Sequence, residues 1–385
     1  MTAKFSVGVA GLGAAGLAFL PALQTHPGFT WVACAEPVDA LREQVQREHG
    51  VAAYATLSAL LTHPGLDAVI VATPTPLHAP QALQVAAAGK HLLVEKPMAV
   101  DLDAARAMVE AAARAGVVLL VGHAHGYDEP IAAMRSVITS GELGAVGMVN
   151  TWCFSDWVQR PRRSDELDER QGGGVTFRQG SHQFDILRLL CGGRARSVRA
   201  KAFDWDPQRR TVGAHIVFID FEDGPAATAV YNGYGGFSSM DLGFDISEWG
   251  LHQPPGQRPR WPRPGSAADE LQAKRDRAHG AIPPAAPHAP FFGLTLVSCE
   301  RGDIRQLPNG LRIHTPDGMR EVPLALQRSP RERVLDEWHA AISGSAPALH
   351  SGRWGLANLE LCVAALRSSR MAREVTLHEQ VDLPD

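Results

Sequence analysis

The chain of 385 residues contains few cysteines, and they do not cluster. The five are Cys34, Cys153, Cys191, Cys299 and Cys362, an odd number without CxxC spacing. This pattern excludes a disulfide framework and a cysteine-based zinc site, and the sequence predicts no metal centre. We therefore expect buried thiols in a reducing cytoplasm.

Long apolar runs and a strong charge of one sign are also missing. Residues 5–23 are apolar, but glycines interrupt them at 8, 11, 13 and 16, and no small-residue cleavage site follows. We therefore expect neither a signal peptide nor a membrane span. The formal net charge of −4 argues against nucleic acid or an anionic membrane as the main partner.

The length and composition indicate an ordinary globular protein of two domains, since 45% of residues are hydrophobic and 20% charged. Residues 1–122 alternate strands with helices, which predicts a doubly wound parallel sheet. Residues 123–385 combine helices with long strands and tight turns at Asp223-Gly224, Asn309-Gly310 and Asp317-Gly318. They predict an α+β domain with a large, mostly antiparallel open sheet.

Three local predictions concern helices. Residues 17–23 and residues 176–191 are each expected to form a helix, and Asp39 is expected to cap a third.

The segment 249–290 is rich in proline and arginine. The favoured interpretation is a solvated loop with a short helix near 267–278, and the alternative is a lid or an oligomerisation arm.

A glycine motif follows the first apolar run directly. Its residues are Gly11, Leu12, Gly13, Ala14, Ala15 and Gly16. GxGxxG between a strand and a helix is typical of dinucleotide binding: the glycines allow a tight turn, close approach of a pyrophosphate and close packing of helix on strand.

The next strand ends in a carboxylate, Glu36, twenty residues after the last glycine of the motif. A carboxylate there accepts hydrogen bonds from the ribose hydroxyls and repels a 2′-phosphate. The sequence therefore predicts NAD, rather than NADP, as the cofactor.

Two further segments lie at the carboxyl ends of predicted strands, where open α/β sheets bind their ligands. One contains Thr73, Pro74 and His78, and the other contains Glu95 and Lys96. A partly desolvated lysine in a nicotinamide cleft can assist proton transfer. The alternative is an ordinary surface lysine.

A glycine-rich stretch at 172–174 is followed by His182 and Asp185. These two residues are spaced i and i+3, so they share a face of a helix. Histidine suits proton transfer near neutral pH, although a lone histidine on a helix is more often structural.

Together these motifs resemble the Gfo/Idh/MocA family, named for glucose–fructose oxidoreductase and inositol dehydrogenase, over nearly the whole chain. The resemblance implies a Rossmann domain and a second domain whose open sheet often forms an oligomer interface. It implies that Lys96 and His182 flank the substrate carbon opposite the nicotinamide, and that the Lys96–Pro97 bond is often cis. Lys96, His182 and Asp185 are therefore the expected catalytic residues.

Within the family, three segments are similar to the phthalate 4,5-cis-dihydrodiol dehydrogenases. The first holds His123, His125 and Tyr127, the second holds Arg160, Arg162 and Arg163, and the third is 171–185. The resemblance implies that these histidines, the tyrosine and the arginines bind substrate together with His182. For the arginine triplet, a solvated charge run is the alternative.

One position departs from the family pattern. Many members carry an aspartate four residues before the catalytic histidine, where this chain has Arg178. An arginine there favours an anionic substrate, because guanidinium groups pair with carboxylates in a forked geometry.

The resulting expectation is an NAD-dependent oxidoreductase for a carboxylated cis-dihydrodiol, with cis-4,5-dihydrodiol phthalate as the favoured substrate. A sugar, an inositol or a carboxylated ring-fission hemiacetal is the alternative within the same class. A non-catalytic NAD(H)-responsive regulator is the alternative outside it. The resemblance also implies a homo-oligomer formed through the C-terminal sheet.

Overall fold

The computed structural model describes residues 4–257, 266–280, 286–326 and 328–384. Contacts between residues divide the chain into two compact units. The first contains residues 1–123 and 331–359, and the second contains residues 124–330 and 360–383. Parts of the segment 249–290, namely 258–265 and 281–285, lie outside the described residues.

The first unit is built on a parallel sheet with the order β3-β2-β1-β4-β5-β6. Strands such as Ala68–Val71 are apolar throughout and completely buried, as expected for a parallel sheet covered on both faces. This architecture confirms the doubly wound prediction. The strands are Phe5–Ala10 (β1), Phe29–Ala35 (β2), Ala52–Tyr54 (β3), Ala68–Val71 (β4), His91–Glu95 (β5) and Leu119–Gly122 (β6).

The helices of this part of the chain connect successive parallel strands. They are Ala14–Leu17 (α1), Leu20–Thr25 (α2), Asp39–His49 (α3), Leu57–Leu60 (α4), His78–Ala87 (α5) and Leu102–Ala115 (α6). The prediction of one helix over 17–23 was wrong, because the helix is broken and a new one starts with Pro21 in its first turn. Asp39 is the first residue of α3 rather than its cap, a position held by Val38.

The second unit contains a mostly antiparallel sheet with the order β14-β13-β12-β11-β7-β10-β9-β8-β15, in which β7 and β10 pair in parallel. The predicted turns at Asn309-Gly310 and Asp317-Gly318 join β12 to β13 and β13 to β14. The strands are Val146–Phe154 (β7), Ala195–Phe203 (β8), Ala214–Phe221 (β9), Ala226–Asn232 (β10), Leu294–Cys299 (β11), Gly302–Leu307 (β12), Gly310–Thr315 (β13), Gly318–Pro323 (β14) and Val375–Thr376 (β15).

The helices of the second unit are Glu129–Thr139 (α7), Ser164–Leu167 (α8), Ser181–Leu190 (α9) and Ala267–Gly280 (α10). A π-helical turn, Thr176–Gly180, runs directly into α9. The predicted helix over 176–191 is therefore two consecutive helical forms, and π turns often occur at functional sites. The helix expected near 267–278 is α10.

Two late helices follow, Pro330–Ser343 (α11) and Gly352–Met371 (α12). Residues 331–359 belong to the first unit, whereas the sequence analysis placed them in the second domain. The reason is packing: the Trp338 ring lies 5.1 Å from the Phe29 ring, and His26 Nε2 lies 3.1 Å from Asp336 Oδ1. Within the described residues, no helix is both long and apolar enough to span a bilayer.

Candidate active site

The glycine motif forms a turn that requires glycine at two positions, Gly11 and Gly16. Gly11 has a φ of +91°, and a Cβ at this position would lie 2.8 Å from the carbonyl oxygen of Ala72. A Cβ on Gly16 would overlap the carbonyl oxygen of Gly11, whereas a Cβ on Gly13 would meet open space. The motif is thus tight against the sheet and open beside Gly13, a shape that fits a pyrophosphate at the start of α1.

The carboxylate of Glu36 stabilises this turn. It is buried and accepts hydrogen bonds from the backbone N–H groups of Leu12, at 2.8 Å, and Val38, at 3.1 Å. The Arg42 guanidinium donates to the carbonyl oxygen of Glu36 and to the Asp39 carboxylate. A carboxylate can accept more than two hydrogen bonds, so Glu36 keeps the capacity to accept from a ribose hydroxyl.

The two strand-end segments are connected through His78. Its Nδ1 lies 2.9 Å from the carbonyl oxygen of Pro97, and its Nε2 lies 2.8 Å from that of Thr73. The Thr73 hydroxyl donates to Gln81, and the Lys96–Pro97 bond is cis, as the resemblance implied. His78 is buried and holds the backbone of the two segments, which include Pro74 and Lys96.

Glu95 is paired with a residue that the sequence analysis missed. Arg331 donates to Glu95 Oε1 at 2.6 Å and lies over the Phe19 ring at 4.3 Å. Burial acts to raise the pKa of Glu95, but the charges of Arg331 and Lys96 hold it below its ordinary value. Lys96 is half-buried beside this ion pair. Since 236 positions separate Arg331 from Glu95, no local pattern could have revealed the pair.

His123 is buried in the first unit. Its ring nitrogens lie 3.4 and 3.5 Å from Asn358 Nδ2, and its ring is 6.3 Å from that of His350. The side chain therefore packs in the protein interior, and its assignment to substrate binding stays a prediction.

In the second unit, His182 lies in an aromatic cluster. Its ring meets the His125 ring edge-on at 4.6 Å, and both rings contact Phe292, with His125 stacked on it at 4.3 Å. His125 Nδ1 is 2.9 Å from Asp128 Oδ2, so the carboxylate orients this imidazole. The neighbouring Tyr127 is also buried.

Asp185 lies on the same helix as His182 and is completely buried. Arg188, one turn further along and equally buried, is its electrostatic partner. Burial lowers the pKa of the Arg188 guanidinium, and the charges of Asp185 and Glu360 oppose this shift. Asp185 therefore belongs to a buried charge group, and its catalytic role stays a prediction.

Two of the four expected substrate arginines are paired with carboxylates of the chain. Arg160 donates to Asp156 at 2.6 Å and to Glu248 at 2.9 Å. Arg163 makes a bidentate pair with Asp165, at 2.7 and 2.8 Å. These pairs reduce the positive charge that either arginine can offer to a ligand.

The other two arginines share one buried carboxylate, Glu166. Arg178 donates to Glu166 Oε1 at 3.3 Å, and Arg162 Nη1 lies 3.8 Å from the same oxygen. Lys274, on α10, donates to Glu166 Oε2. Burial acts to raise the pKa of Glu166, but the charges of Lys274, Arg178 and Arg162 hold it far below its ordinary value. Neither Glu166 nor Lys274 was expected from the sequence to take part in the site.

A hydrogen-bond chain fixes the helix that carries His182. His215 Nε2 lies 3.0 Å from Gln183 Oε1, and Thr176 Oγ1 lies 3.0 Å from His215 Nδ1. Gln183 donates onward to Thr151 and to the carbonyl oxygen of Val230. Because Gln183 Oε1 can only accept, we assign the hydrogen of His215 to Nε2. This series of hydrogen bonds joins the π turn and α9 to the sheet.

Family models match both halves of this architecture. Residues 5–123 match a model described as an oxidoreductase family with an NAD-binding Rossmann fold. Residues 131–238 match the C-terminal domain model of the same Gfo/Idh/MocA group.

Several known proteins are similar to the chain. A 1-carboxy-3-chloro-3,4-dihydroxycyclohexa-1,5-diene dehydrogenase of Comamonas testosteroni is 36% identical over 308 residues, which cover 77% of this chain and 78% of that protein. An NAD(+)-dependent scyllo-inositol 2-dehydrogenase of Bacillus subtilis (strain 168) is 29% identical over 57% of this chain and 64% of its own length. A crystal structure from Bordetella bronchiseptica RB50, provisionally assigned as a dehydrogenase, is 35% identical, with a TM-score of 0.88 over 97% of this chain and 100% of that chain.

Proposed function

The chain belongs to the Gfo/Idh/MocA oxidoreductase family, and on that premise we propose that it oxidises a carboxylated cis-dihydrodiol with NAD. The favoured substrate is cis-4,5-dihydrodiol phthalate, and the product is 4,5-dihydroxyphthalate. The observation that carries the proposal is Arg178, which stands one turn before His182 and shares Glu166 with Arg162. The Comamonas relative, named for a carboxylated cyclohexadiene diol, supports the same substrate class.

The reaction requires hydride transfer and loss of one proton. NAD, when bound, would supply the oxidant for the hydride of a carbinol C–H bond. His182 or Lys96 would take the hydroxyl proton, which leaves a ring ketone. The ketone then tautomerises to a catechol, and the gain in aromaticity draws the reaction forward. The protein therefore has to orient the diol and accept one proton.

The cofactor preference follows from the environment of Glu36. A 2′-phosphate beside this buried carboxylate would meet negative charge, whereas a ribose 2′-hydroxyl can donate to it. Arg42 is the nearby group that could counter the repulsion, but its guanidinium already pairs with Asp39. We therefore propose NAD rather than NADP.

A substrate carboxylate needs a cationic side chain as its partner. Arg160 is paired with Asp156 and Glu248, and Arg163 is paired with Asp165. Arg162, Arg178 and Lys274 all lie around the single carboxylate of Glu166. We therefore narrow the proposed carboxylate-binding arginines from four to Arg162 and Arg178.

A substrate panel tests the proposal. NAD reduction is measured with cis-dihydrodiols that carry no, one or two carboxylates, and with scyllo-inositol as the polyol alternative. We expect kcat/KM to be at least tenfold higher for the carboxylated diols than for an uncharged diol. Equal efficiency for uncharged and carboxylated diols, or a preference for inositol, would contradict the proposal. The same panel tests the alternative of a non-catalytic regulator, because any reduction of NAD would exclude that alternative.

Arg178→Gln tests the recognition step. The loss of a charge-assisted pair should raise KM for a carboxylated diol by roughly ten- to a hundredfold. Arg170→Gln is the matched control, because Arg170 lies in the same region but is exposed and paired with Asp168. An unchanged KM in Arg178→Gln would remove the physical support for an anionic substrate.

A further inference from the structure

The first residues of α3 bring two opposite charges beside Glu36. Arg42 Nη1 donates to the carbonyl oxygen of Glu36 at 2.7 Å, and Arg42 Nη2 donates to Asp39 Oδ1 at 2.6 Å. Asp39 and Arg42 are three residues apart on the helix, a spacing at which side chains meet. We refer to Glu36, Asp39 and Arg42 as the β2–α3 charge group, which contains two carboxylates and one guanidinium.

The members of this group differ in burial. Glu36 is buried and the side chain of Arg42 is 20% exposed, whereas that of Asp39 is 78% exposed. An ion pair with so exposed a partner contributes little to the stability of the fold, because water and salt screen it. We therefore expect that Asp39 can be replaced without loss of the local structure, and that its charge acts mainly on a ligand that approaches the group.

The two inner charges of the group act together near the end of β2. Burial raises the pKa of the Cys34 thiol to about 11; the charge of Glu36 adds to this shift and the charge of Arg42 opposes it. One buried atom thus lies within the electrostatic range of both side chains. Arg42 is therefore close enough to Glu36 to act on a negative ligand group bound beside it.

Arg42 has the chemistry that a 2′-phosphate requires, but its donors are occupied. NADP differs from NAD by a 2′-phosphate with about two negative charges, and Rossmann domains accommodate that phosphate with a nearby arginine. A bidentate contact would use two nitrogens of the guanidinium. Both terminal nitrogens of Arg42 already donate within the protein, one to Glu36 and the other to Asp39.

Asp39 also changes the electrostatic field at the start of α3. The N-terminus of a helix carries partial positive charge that attracts a phosphate. Asp39 is the first residue of α3, so its carboxylate offsets this attraction. Together with Glu36 it places two negative charges beside the expected ribose. A 2′-phosphate would be repelled by both, whereas the 2′-hydroxyl of NAD is uncharged.

We propose that Asp39 is a specificity-determining residue that excludes NADP, because it occupies the Arg42 guanidinium and adds a second negative charge beside Glu36. This inference rests on the proposed use of NAD and makes it narrower. It assigns part of the cofactor preference to an exposed side chain that acts through Arg42, in addition to the part that Glu36 supplies directly.

The test measures cofactor binding without any substrate. Kd is determined for NADH and for NADPH by titration of the nicotinamide fluorescence. We expect Asp39→Asn to lower Kd for NADPH about tenfold, because the second repulsive charge is lost and Arg42 becomes available to the phosphate. Kd for NADH should stay within about twofold of the wild-type value. Asp39→Glu, which keeps the charge, should keep the wild-type preference.

A double variant tests whether the gain passes through Arg42. Asp39→Asn combined with Arg42→Gln should bind NADPH less tightly than Asp39→Asn alone, because the cation that receives the phosphate is missing. The gain in Asp39→Asn should also shrink as the salt concentration rises, since these charges are near the surface. If Asp39→Asn folds poorly, Asp39→Ala is the second variant that lacks the charge.

Asp103→Asn is the matched control. Asp103 lies in the first turn of α6 and pairs with Arg106 at 2.6 Å, also three residues further along its helix, with its side chain 94% exposed. Its replacement should leave both Kd values unchanged. An unchanged Kd for NADPH in Asp39→Asn, or an equal decrease in Asp103→Asn, overturns the inference but leaves the proposed function intact. Failure of the wild-type protein to bind NADH overturns the proposed cofactor itself.

Discussion

At the scale of single residues, Glu36 has a structural task, and we propose a second, functional one. It holds the backbone of the glycine turn through Leu12 and Val38, and we propose that it also accepts from the ribose. Glu36→Gln should therefore lower kcat/KM for NAD about tenfold and raise that for NADP, because the repulsion of the 2′-phosphate is removed. Steady-state kinetics with both cofactors checks this. Equal use of NAD and NADP by the unmodified protein would contradict it.

We propose that His182 or Lys96 takes the proton of the substrate hydroxyl. Replacement of either by alanine should lower kcat by roughly a hundredfold or more, the usual effect of losing a positioned acid or base. NAD affinity, measured by fluorescence titration, should change much less. His378→Ala is the matched control, since that histidine is exposed and its backbone N–H, rather than its ring, bonds to Glu360 within the described part of the chain. Near-normal turnover in His182→Ala would identify His182 as a structural histidine of the aromatic cluster.

The limits of sequence reasoning are clear at this scale. The glycine turn and Glu36 could be predicted, because they lie within one βαβ unit and because Gly11 and Gly16 leave no room for a side chain. Arg331, Glu166 and Lys274 could not, because each acts through a residue more than 100 positions away or on another element. The arginine triplet was recognised, but its carboxylate partners Asp156 and Asp165 were not weighed.

At the scale of elements, hydrogen bonds between side chains anchor the π turn and α9 to the large sheet. The chain Thr176–His215–Gln183 joins this segment to strands β9 and β7. A helical pattern over 176–191 predicted the helix but not its change of form at Gly180. Gly180, the last residue of the π turn, packs closely against His215, since a Cβ at this position would lie 2.9 Å from the imidazole.

His215 should make the protein sensitive to acid. Burial lowers the pKa of His215 to about 3 in the folded protein, whereas an unfolded chain binds this proton near its ordinary pKa of about 6.5. Between these values the unfolded state binds more protons, so the free energy of unfolding decreases as pH falls. His215→Gln, which can donate and accept but does not titrate, should weaken this dependence at a cost of about 1 kcal/mol near neutral pH. Chemical denaturation from pH 4 to pH 7 checks this, and parallel profiles for the two proteins would contradict it.

At the scale of the whole molecule, one face of the large sheet presents apolar side chains to solvent. Met148, Trp152, Ile216 and Phe218 are 41–53% exposed on β7 and β9. The register aligns Trp152 and Ile216 with Val230 of the intervening strand, so they form a continuous row. Exposed apolar surface of this kind favours self-association.

The homo-oligomer expected from the sequence is therefore a prediction about this face. We expect light scattering coupled to gel filtration to give a mass at least twice that of the chain. Trp152→Glu should shift the protein toward the monomer, whereas Met371→Glu, at an exposed position on α12, should not. A monomeric unmodified protein would contradict the prediction.

The two-unit organisation could be predicted from the alternation of strands and helices up to residue 122 and from the hairpin turns beyond it. The return of residues 331–359 to the first unit could not, because it depends on contacts such as that between Trp338 and Phe29. Such contacts join segments about 300 residues apart, and the local hydrophobic periodicity of a sequence does not predict contacts at that separation.

The most direct test of the central claim follows the hydrogen that is transferred. The protein is incubated with NAD and cis-4,5-dihydrodiol phthalate that carries deuterium on both carbinol carbons, and the NADH is analysed by mass spectrometry. The account predicts NADH with one deuterium on its nicotinamide, together with 4,5-dihydroxyphthalate. Formation of unlabelled NADH from the deuterated diol would contradict it. So would a failure of the diol to reduce NAD when the same protein, in a separate assay, oxidises an inositol with NAD.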